Sequence, residues 1–245
     1  MIYLFPIFAF LLGSIPFGLI ISRSYGVDIR TKGSGNIGAT NVLRSIGKKP
    51  GYLCLLLDFL KGFVPVLLVA TLLRWPGASE PLMHIGFLDG LRPIFGETSQ
   101  FKAQLFHVLT GFAAVMGHNY SPWVGFKGGK GIATSGGVLF ALAPAAVVLL
   151  LILWILIFLI TRYVSVASIV ASAVLPMVIH WGARFHHVDN DPELPTLWEA
   201  GVYNKPLFWF SIILGVLAIW KHRSNIVALK NGTENRFTRK KKEAA

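Results

Sequence analysis

The sequence predicts an all-α integral membrane protein of seven transmembrane helices, with its N-terminus outside and its C-terminus in the cytoplasm. Three observations lead there. Of 245 residues, 54% are hydrophobic and only 14% charged, and the mean hydropathy of +0.62 is far too high for a soluble domain of that length. The apolar residues fall in long unbroken runs rather than alternating with polar ones, which favours helices over a β-barrel. The basic residues gather in one loop and one tail, and the positive-inside rule places both in the cytoplasm.

The first run, Met1 to Ile21, is not a signal peptide: it has no basic n-region, and Gly13-Ser14-Ile15-Pro16 leads into more apolar sequence. Tyr52 to Leu73, Gln104 to Met116, Val138 to Thr161, Val164 to Trp181 and Leu207 to Trp220 follow, against a need of about 20 apolar residues per crossing. Six crossings would put the basic loop from Ser22 to Gly51 (Arg23, Arg30, Lys32, Arg44, Lys48, Lys49) on the opposite side from the basic tail (Lys221, Arg223, Lys230, Arg236, Arg239, Lys240, Lys241, Lys242). Val138 to Thr161 is long and contains Pro144, which breaks a helix by removing a hydrogen bond and crowding the preceding turn. Two passes divided at Pro144 make seven spans and bring both basic segments inside. The chain then reads as one transmembrane domain over 1–229 and a basic cytoplasmic tail over 230–245.

Under this topology every polar, glycine-rich stretch faces the cytoplasm: GSGNIGATNVLR from Gly33, GHNYSPWVGFKGGKGIAT from Gly117, RYVS from Arg162 and KHRSN from Lys221. Gly33 to Gly38 spells the G-x-G-x-x-G dinucleotide fingerprint, but that motif works only between a strand and a helix, and here a membrane helix precedes it. Asp58, the acidic residue about twenty positions on, lies inside a membrane run. FKGGKG is not a Walker A loop, because Val124 stands where its first Gly belongs and Gly131 replaces the hydroxyl residue after Lys130.

What these loops hold is glycine backbone, hydroxyls, amides and cations, with almost no carboxylate, and that is equipment for phosphate. Tight helix packing also uses glycine, and topology alone accounts for cytoplasmic cations, yet neither calls for interleaved Asn, Thr and Lys. A transporter for a phosphorylated metabolite is the alternative function; it predicts paired halves and midplane binding groups, whereas no repeat is visible and the polar groups cluster at one face. A purely structural membrane protein would not need two such loops.

SGNIGATNVLR, GHNYSPWVGFKGGKGIAT and KHRSNIVALKNGTENR closely resemble the three cytoplasmic motifs of the bacterial PlsY family, the acyl-phosphate:glycerol-3-phosphate acyltransferases, and SIPFG, DFLKG and TRYVS extend the likeness. The resemblance implies a multi-pass enzyme of the bacterial inner membrane, its active site at the cytoplasmic face. It would transfer a fatty acyl group from acyl phosphate to the 1-hydroxyl of sn-glycerol 3-phosphate, giving lysophosphatidic acid and inorganic phosphate, the first acylation of phospholipid synthesis. By similarity, Ser34, Thr40, Arg44 and Lys130 take the substrate phosphates, and His222 and Asn225 hold the glycerol phosphate. Ser34, Arg44, Lys130 and His222 are the catalytic candidates. Gly33, Gly35, Gly38, Gly128, Gly129 and Gly131 would supply amides and close approach, and Asn36, Asn41, His118, Asn119, Lys127 and Ser165 complete the substrate-binding set.

A base is harder to name, since these motifs offer only His118 and His222. Acyl phosphate already carries a good leaving group whose oxygens can accept the proton, so a substrate-assisted route is expected, the protein supplying position and charge. No cofactor or metal is expected, and no nucleic acid: the net charge of +12 suits anionic lipid headgroups better. The sequence carries no signal for oligomeric state. His84 with Asp89, and His186 with Asp191, match the spacing of unrelated glycerolipid acyltransferases by chance, and His186, His187, Asp189 and Asp191 read as a polar connector rather than a metal cluster. Asp58 and Lys61, three apart, are placed to pair at membrane depth, and lone Cys54 excludes an internal disulfide.

Overall fold

A computed structural model describes residues 2–73, 86–95, 99–185 and 205–237. Their regular secondary structure is entirely helical, with no strand among them. The first apolar run forms α1 (Leu4–Ser14) and α2 (Phe17–Ser24), parted at Ile15 because Pro16 drives the residue before it out of helical geometry. A glycine loop leads to short α3 (Ala39–Ser45), and α4 (Lys48–Leu72) follows with Pro65 inside it. After a 3₁₀ stretch, Gly86–Phe95, come α5 (Gln100–Asn119), α6 (Ile132–Leu142), α7 (Pro144–Thr161), α8 (Val164–Phe185), α9 (Lys205–Lys221) and α10 (Arg223–Lys230).

The break expected at Pro144 is there: α6 closes at Leu142, Ala143 leaves helical geometry and Pro144 opens α7, where its missing N–H costs nothing. Seven spans do not stand out by length and hydropathy among the described residues. Four segments, Leu4–Ser24, Lys48–Leu72, Pro144–Thr161 and Val164–Trp181, are long and apolar enough to cross a bilayer, and α9 with α10, bent by 50°, makes a fifth at most. The reason is physical: α6 has 11 residues, short of the roughly 20 that a crossing takes, and α5 turns Gln104, His107, Thr110, His118 and Asn119 into the bundle, which lowers its hydropathy without exposing polar groups to lipid.

Small residues let the helix backbones touch, as membrane packing requires. α1 lies on α5 where Gly13 meets the Ala114 backbone and Gly117 meets the Phe10 carbonyl. α4 lies on α6 through Gly62 against Thr134 and Gly137 against Phe59. α8 joins α7 to α9, and the core that these share with α5 and α6 gathers Val108, Val115, Val138, Leu175, Phe210 and Leu214. α7 buries little of its surface in the bundle, so its outer face of Leu149, Ile152, Leu156 and Ile160 is lipid-facing. Asp58 and Lys61 pair at 2.8 Å inside the bundle, as their spacing predicts. His84, His186, His187, Asp189, Asp191 and residues 238–245 of the basic tail lie outside the described residues.

Candidate functional site

The glycine motifs meet at one end of the bundle. In the first loop, Asn41 does the organising: its amide nitrogen is shared among the carbonyls of Ile29, Lys32 and Asn36 at 3.2, 2.9 and 2.8 Å, and its Oδ1 accepts from Ser34 N at 3.1 Å. Gly33 sits at φ +56, where a Cβ would run into that Oδ1, so the turn requires glycine. Asn36 accepts from Gly38 N at 2.8 Å, an Asx turn that opens α3. The sequence had set Asn36 and Asn41 beside substrate, and the structure engages both in shaping the loop.

α3 carries Arg44 in its last turn. The guanidinium donates to the carbonyl of Asn235 at 2.9 Å and lies 4.3 Å from the centre of the Phe237 ring. Burial lowers its proton affinity, and the Glu234 carboxylate works in the opposite direction.

The second loop delivers Lys130. Gly131, at φ +81, turns the chain into α6, and Gly129 N donates to the His118 carbonyl at 3.1 Å. Lys130 Nζ donates to Asn225 Oδ1 at 2.5 Å, and Asn225 Nδ2 donates in turn to both oxygens of Glu234 at 2.9 and 3.1 Å. Ser165, the second residue of α8, donates to Glu234 Oε1 at 2.7 Å. Burial pushes the Lys130 ammonium down to about 8, with Arg44 adding to the effect and Glu234 opposing it.

His222 occupies the junction between α9 and α10, 2% exposed, with Nδ1 2.8 Å from the Ala218 carbonyl. A carbonyl only accepts, so Nδ1 carries the hydrogen and Nε2 keeps its lone pair. Burial, then the Lys130 charge, pushes the imidazole down to about 4, so it is neutral at physiological pH.

The hydrogen bonds thus unite Lys130, Asn225 and Ser165 around Glu234, and the same segment, 231–237, binds Arg44. Among the described residues they do not join Ser34, Thr40 or Lys127 to that ring, and Ser34 and Lys127 are exposed at loop surfaces. Gly35 and Gly38 use their amides within the first loop, as Gly129 does within the second, leaving them less free for an anion than expected. His118 and Asn119 are buried beneath the second loop; neither polar atom of the Asn119 amide finds a hydrogen-bond partner among the described residues.

Glu234 and Asn235 lie within the motif KHRSNIVALKNGTENR, yet its resemblance assigned no role to them, nor to Phe237 just beyond it. They fall where the tail was expected to leave the domain, and yet Phe237 N donates to the Arg162 carbonyl at 3.0 Å while its ring packs edge-on against Phe158. A lone carboxylate among the cations of 221–236 was the available signal. No group of three or more metal-binding side chains occurs among the described residues.

Comparison with known proteins matches residues 3–232 to a family described as glycerol-3-phosphate acyltransferase. The curated glycerol-3-phosphate acyltransferase of Aquifex aeolicus is 40% identical over 231 residues, covering 94% of this chain and 96% of its own. That of Geobacter sulfurreducens is 39% identical over 230 residues, with 94% of each covered. The crystal structure of PlsY, an integral membrane glycerol 3-phosphate acyltransferase, in its glycerol 3-phosphate form aligns with a TM-score of 0.69 at 38% identity over 97% of this chain and 96% of that one. Its lysophosphatidic acid form aligns at 0.68 and 37% over 97% and 95%.

Proposed function

The chain belongs to the glycerol-3-phosphate acyltransferase family, and from that premise we propose how its inner-face loops carry out acyl transfer. It is a multi-pass membrane enzyme that acylates glycerol 3-phosphate. The donor we propose is acyl phosphate, the acceptor atom the 1-hydroxyl, and the products lysophosphatidic acid and inorganic phosphate. The seven spans are α1 with α2, then α4 to α9, and the glycine loops face the cytoplasm across the bacterial inner membrane. The transmembrane domain runs through 1–229, and the tail that follows begins by closing over the site. Anionic lipid headgroups meet its basic residues.

One observation supports this site above the rest: Arg44, Lys130, Ser165 and Asn225, which come from four separate segments, converge on or beside a single carboxylate, Glu234. Arg44 and Lys130 bring two positive charges to the single negative charge of Glu234, and the positive charge left over suits an anion entering beside them. Arg44 and Lys130 then neutralise substrate phosphates, Ser34, Thr40, Lys127 and the amides of Gly33, Gly128 and Gly131 supply further contacts, and Asn225 and Ser165 orient glycerol 3-phosphate.

The glycerol 1-hydroxyl attacks the acyl carbonyl carbon, the anhydride C–O bond breaks, and the departing phosphate takes the proton. A neutral His222 with an open Nε2 lone pair accepts a hydrogen bond from the 2-hydroxyl of glycerol 3-phosphate and so aims the molecule, leaving the proton of the 1-hydroxyl for the departing phosphate. Its low proton affinity suits it to orientation and makes it a poor store for a proton, which supports the substrate-assisted route. Neither metal nor cofactor has a part in these steps.

Purified protein offered labelled glycerol 3-phosphate with acyl phosphate, acyl-CoA or acyl carrier protein tests the donor. Turnover with acyl phosphate alone is expected; equal turnover with a thioester would overturn the assignment.

A further inference from the structure

Beneath the loop that carries Lys130 lies a charged cluster that acyl transfer does not itself require. Asp58 and Lys61, 3% and 2% exposed, pair on α4. Lys61 has a second duty: its Nζ donates at 2.9 Å to the Ile15 carbonyl, freed where α1 breaks from α2, and lies 5.5 Å from the Phe17 ring centre. Asp58 also has a second neighbour. Oδ1 is 3.6 Å from Nδ1 of His118 at the end of α5, and that nitrogen has no hydrogen-bond partner among the described residues. Cys54 Sγ approaches Oδ2 at 3.7 Å.

The opposite edge of the His118 ring, with Nε2, packs on Gly129 so closely that a Cβ there would collide with it, and the His118 carbonyl receives the Gly129 N–H. His118 is therefore turned to a carboxylate on one edge and fastened, by ring and backbone, to the peptide next to Lys130. Lys130 stands among Gly128, Gly129 and Gly131, whose backbones have no side chains to restrain them. A cation that meets substrate phosphate from such a loop needs a fixed anchor from outside it. Ionised groups at membrane depth are costly, and capping Ile15 alone calls for the lysine, with no ring facing its partner.

We propose that Asp58 is a positioning residue: acting through His118, it fixes Gly128 to Lys130 so that the Lys130 ammonium meets the substrate phosphate. This rests on the assignment of Lys130 made above.

The test uses the full chain in proteoliposomes, measuring kcat and KM for both substrates in His118→Leu, His118→Asn, Asp58→Asn and Lys130→Ala, and in each of the first three combined with Lys130→Ala. His118→Leu is expected to lose about 100-fold in kcat/KM, the scale of a misplacement near 1 Å. His118→Asn, whose amide still faces Asp58, recovers at least about tenfold of that loss. In the Lys130→Ala background the same substitutions cost less than about threefold, because the side chain they position is gone.

Wild-type activity in Lys130→Ala would sink the site assignment itself. An impaired Lys130→Ala in which His118→Leu still brings its whole loss would overturn the relay and leave the site standing. So would an Asp58→Asn enzyme of full activity. A purely structural role gives equal losses in His118→Asn and His118→Leu, or a His118→Asn protein that does not fold, and either result overturns the proposal. Should Asp58→Asn itself not fold, the contrast between the two His118 variants decides.

Discussion

Lys130 donates to Asn225 across 2.5 Å, and so joins the glycine loop before α6 to the helix after α9, two segments 95 residues apart. The amide of Asn225 gives its oxygen to the cation and its nitrogen to Glu234, and a second lone pair on that oxygen is left for substrate. Cation, amide and carboxylate form one chain of charge-assisted contacts, and cutting it at any link leaves the neighbours unpaired.

Glu234→Ala cuts it at the carboxylate. Ser165 and Asn225 lose their acceptor, Lys130 and Arg44 their nearby negative charge. An orphaned, partly buried donor costs about 1 to 3 kcal/mol, so kcat/KM for glycerol 3-phosphate is expected to fall by roughly one to two decades, mostly through KM. Steady-state kinetics on the folded variant decide it, and an unchanged KM would show that Glu234 is not part of the substrate pocket.

Arg44→Lys separates charge from shape. The guanidinium bonds Asn235 with one nitrogen and lies over Phe237, whereas Lys offers a compact point charge that has neither the fork nor the planar face. Loss of one charge-assisted contact, about 1.5 to 3 kcal/mol, corresponds to roughly one to two decades in kcat/KM. Equal activity of the lysine enzyme would mean that Arg44 supplies only a diffuse field.

The gathering of these residues was legible because glycine, amide and cation cluster along the sequence: Lys130, Ser165 and Asn225 come together at Glu234, and Arg44 bonds the neighbouring Asn235. The helix break at Pro144 was legible because proline's effect is local. Two things were hidden. Asn36, Asn41 and Gly129 have the side chains and amides of an anion site, yet only the folded loop decides whether a polar group turns to ligand or to its own backbone. Glu234 binds Ser165 69 residues away, and no periodicity records such a contact. Length and hydropathy single out only four or five spans among the described residues, because α5 buries polar residues among its neighbours and α6 is short.

Topology has its own test. Cysteines placed near Lys48 and Lys230 are expected to resist an impermeant thiol reagent in intact cells, and one near Glu193 to react. Labelling of both basic positions from outside would sink the seven-span arrangement and the cytoplasmic site with it. In the same cells, replacing His84, Asp89, His186 and Asp191 together by Ala should leave acyl transfer nearly intact; loss of turnover in a well-folded variant would give those residues a chemical role.

The pH profile of kcat/KM distinguishes the clamp from a base. Lys130, lowered to about 8 by burial, is protonated below that pH and loses its charge as pH rises through it, so activity is expected to fall on the alkaline side. Lys130→Arg, if it retains measurable activity, extends the plateau upward, because a guanidinium stays charged there. Glu234→Gln removes the negative charge that helps Lys130 keep its proton, and the alkaline limb moves to lower pH. His222, held at about 4, is neutral on both sides of neutrality and contributes no limb near the ordinary histidine value of about 6.5. His222→Ala therefore raises KM for glycerol 3-phosphate without changing the shape of the profile. A wild-type limb near 6.5 that vanishes only in His222→Ala would make His222 the general base and overturn the substrate-assisted route.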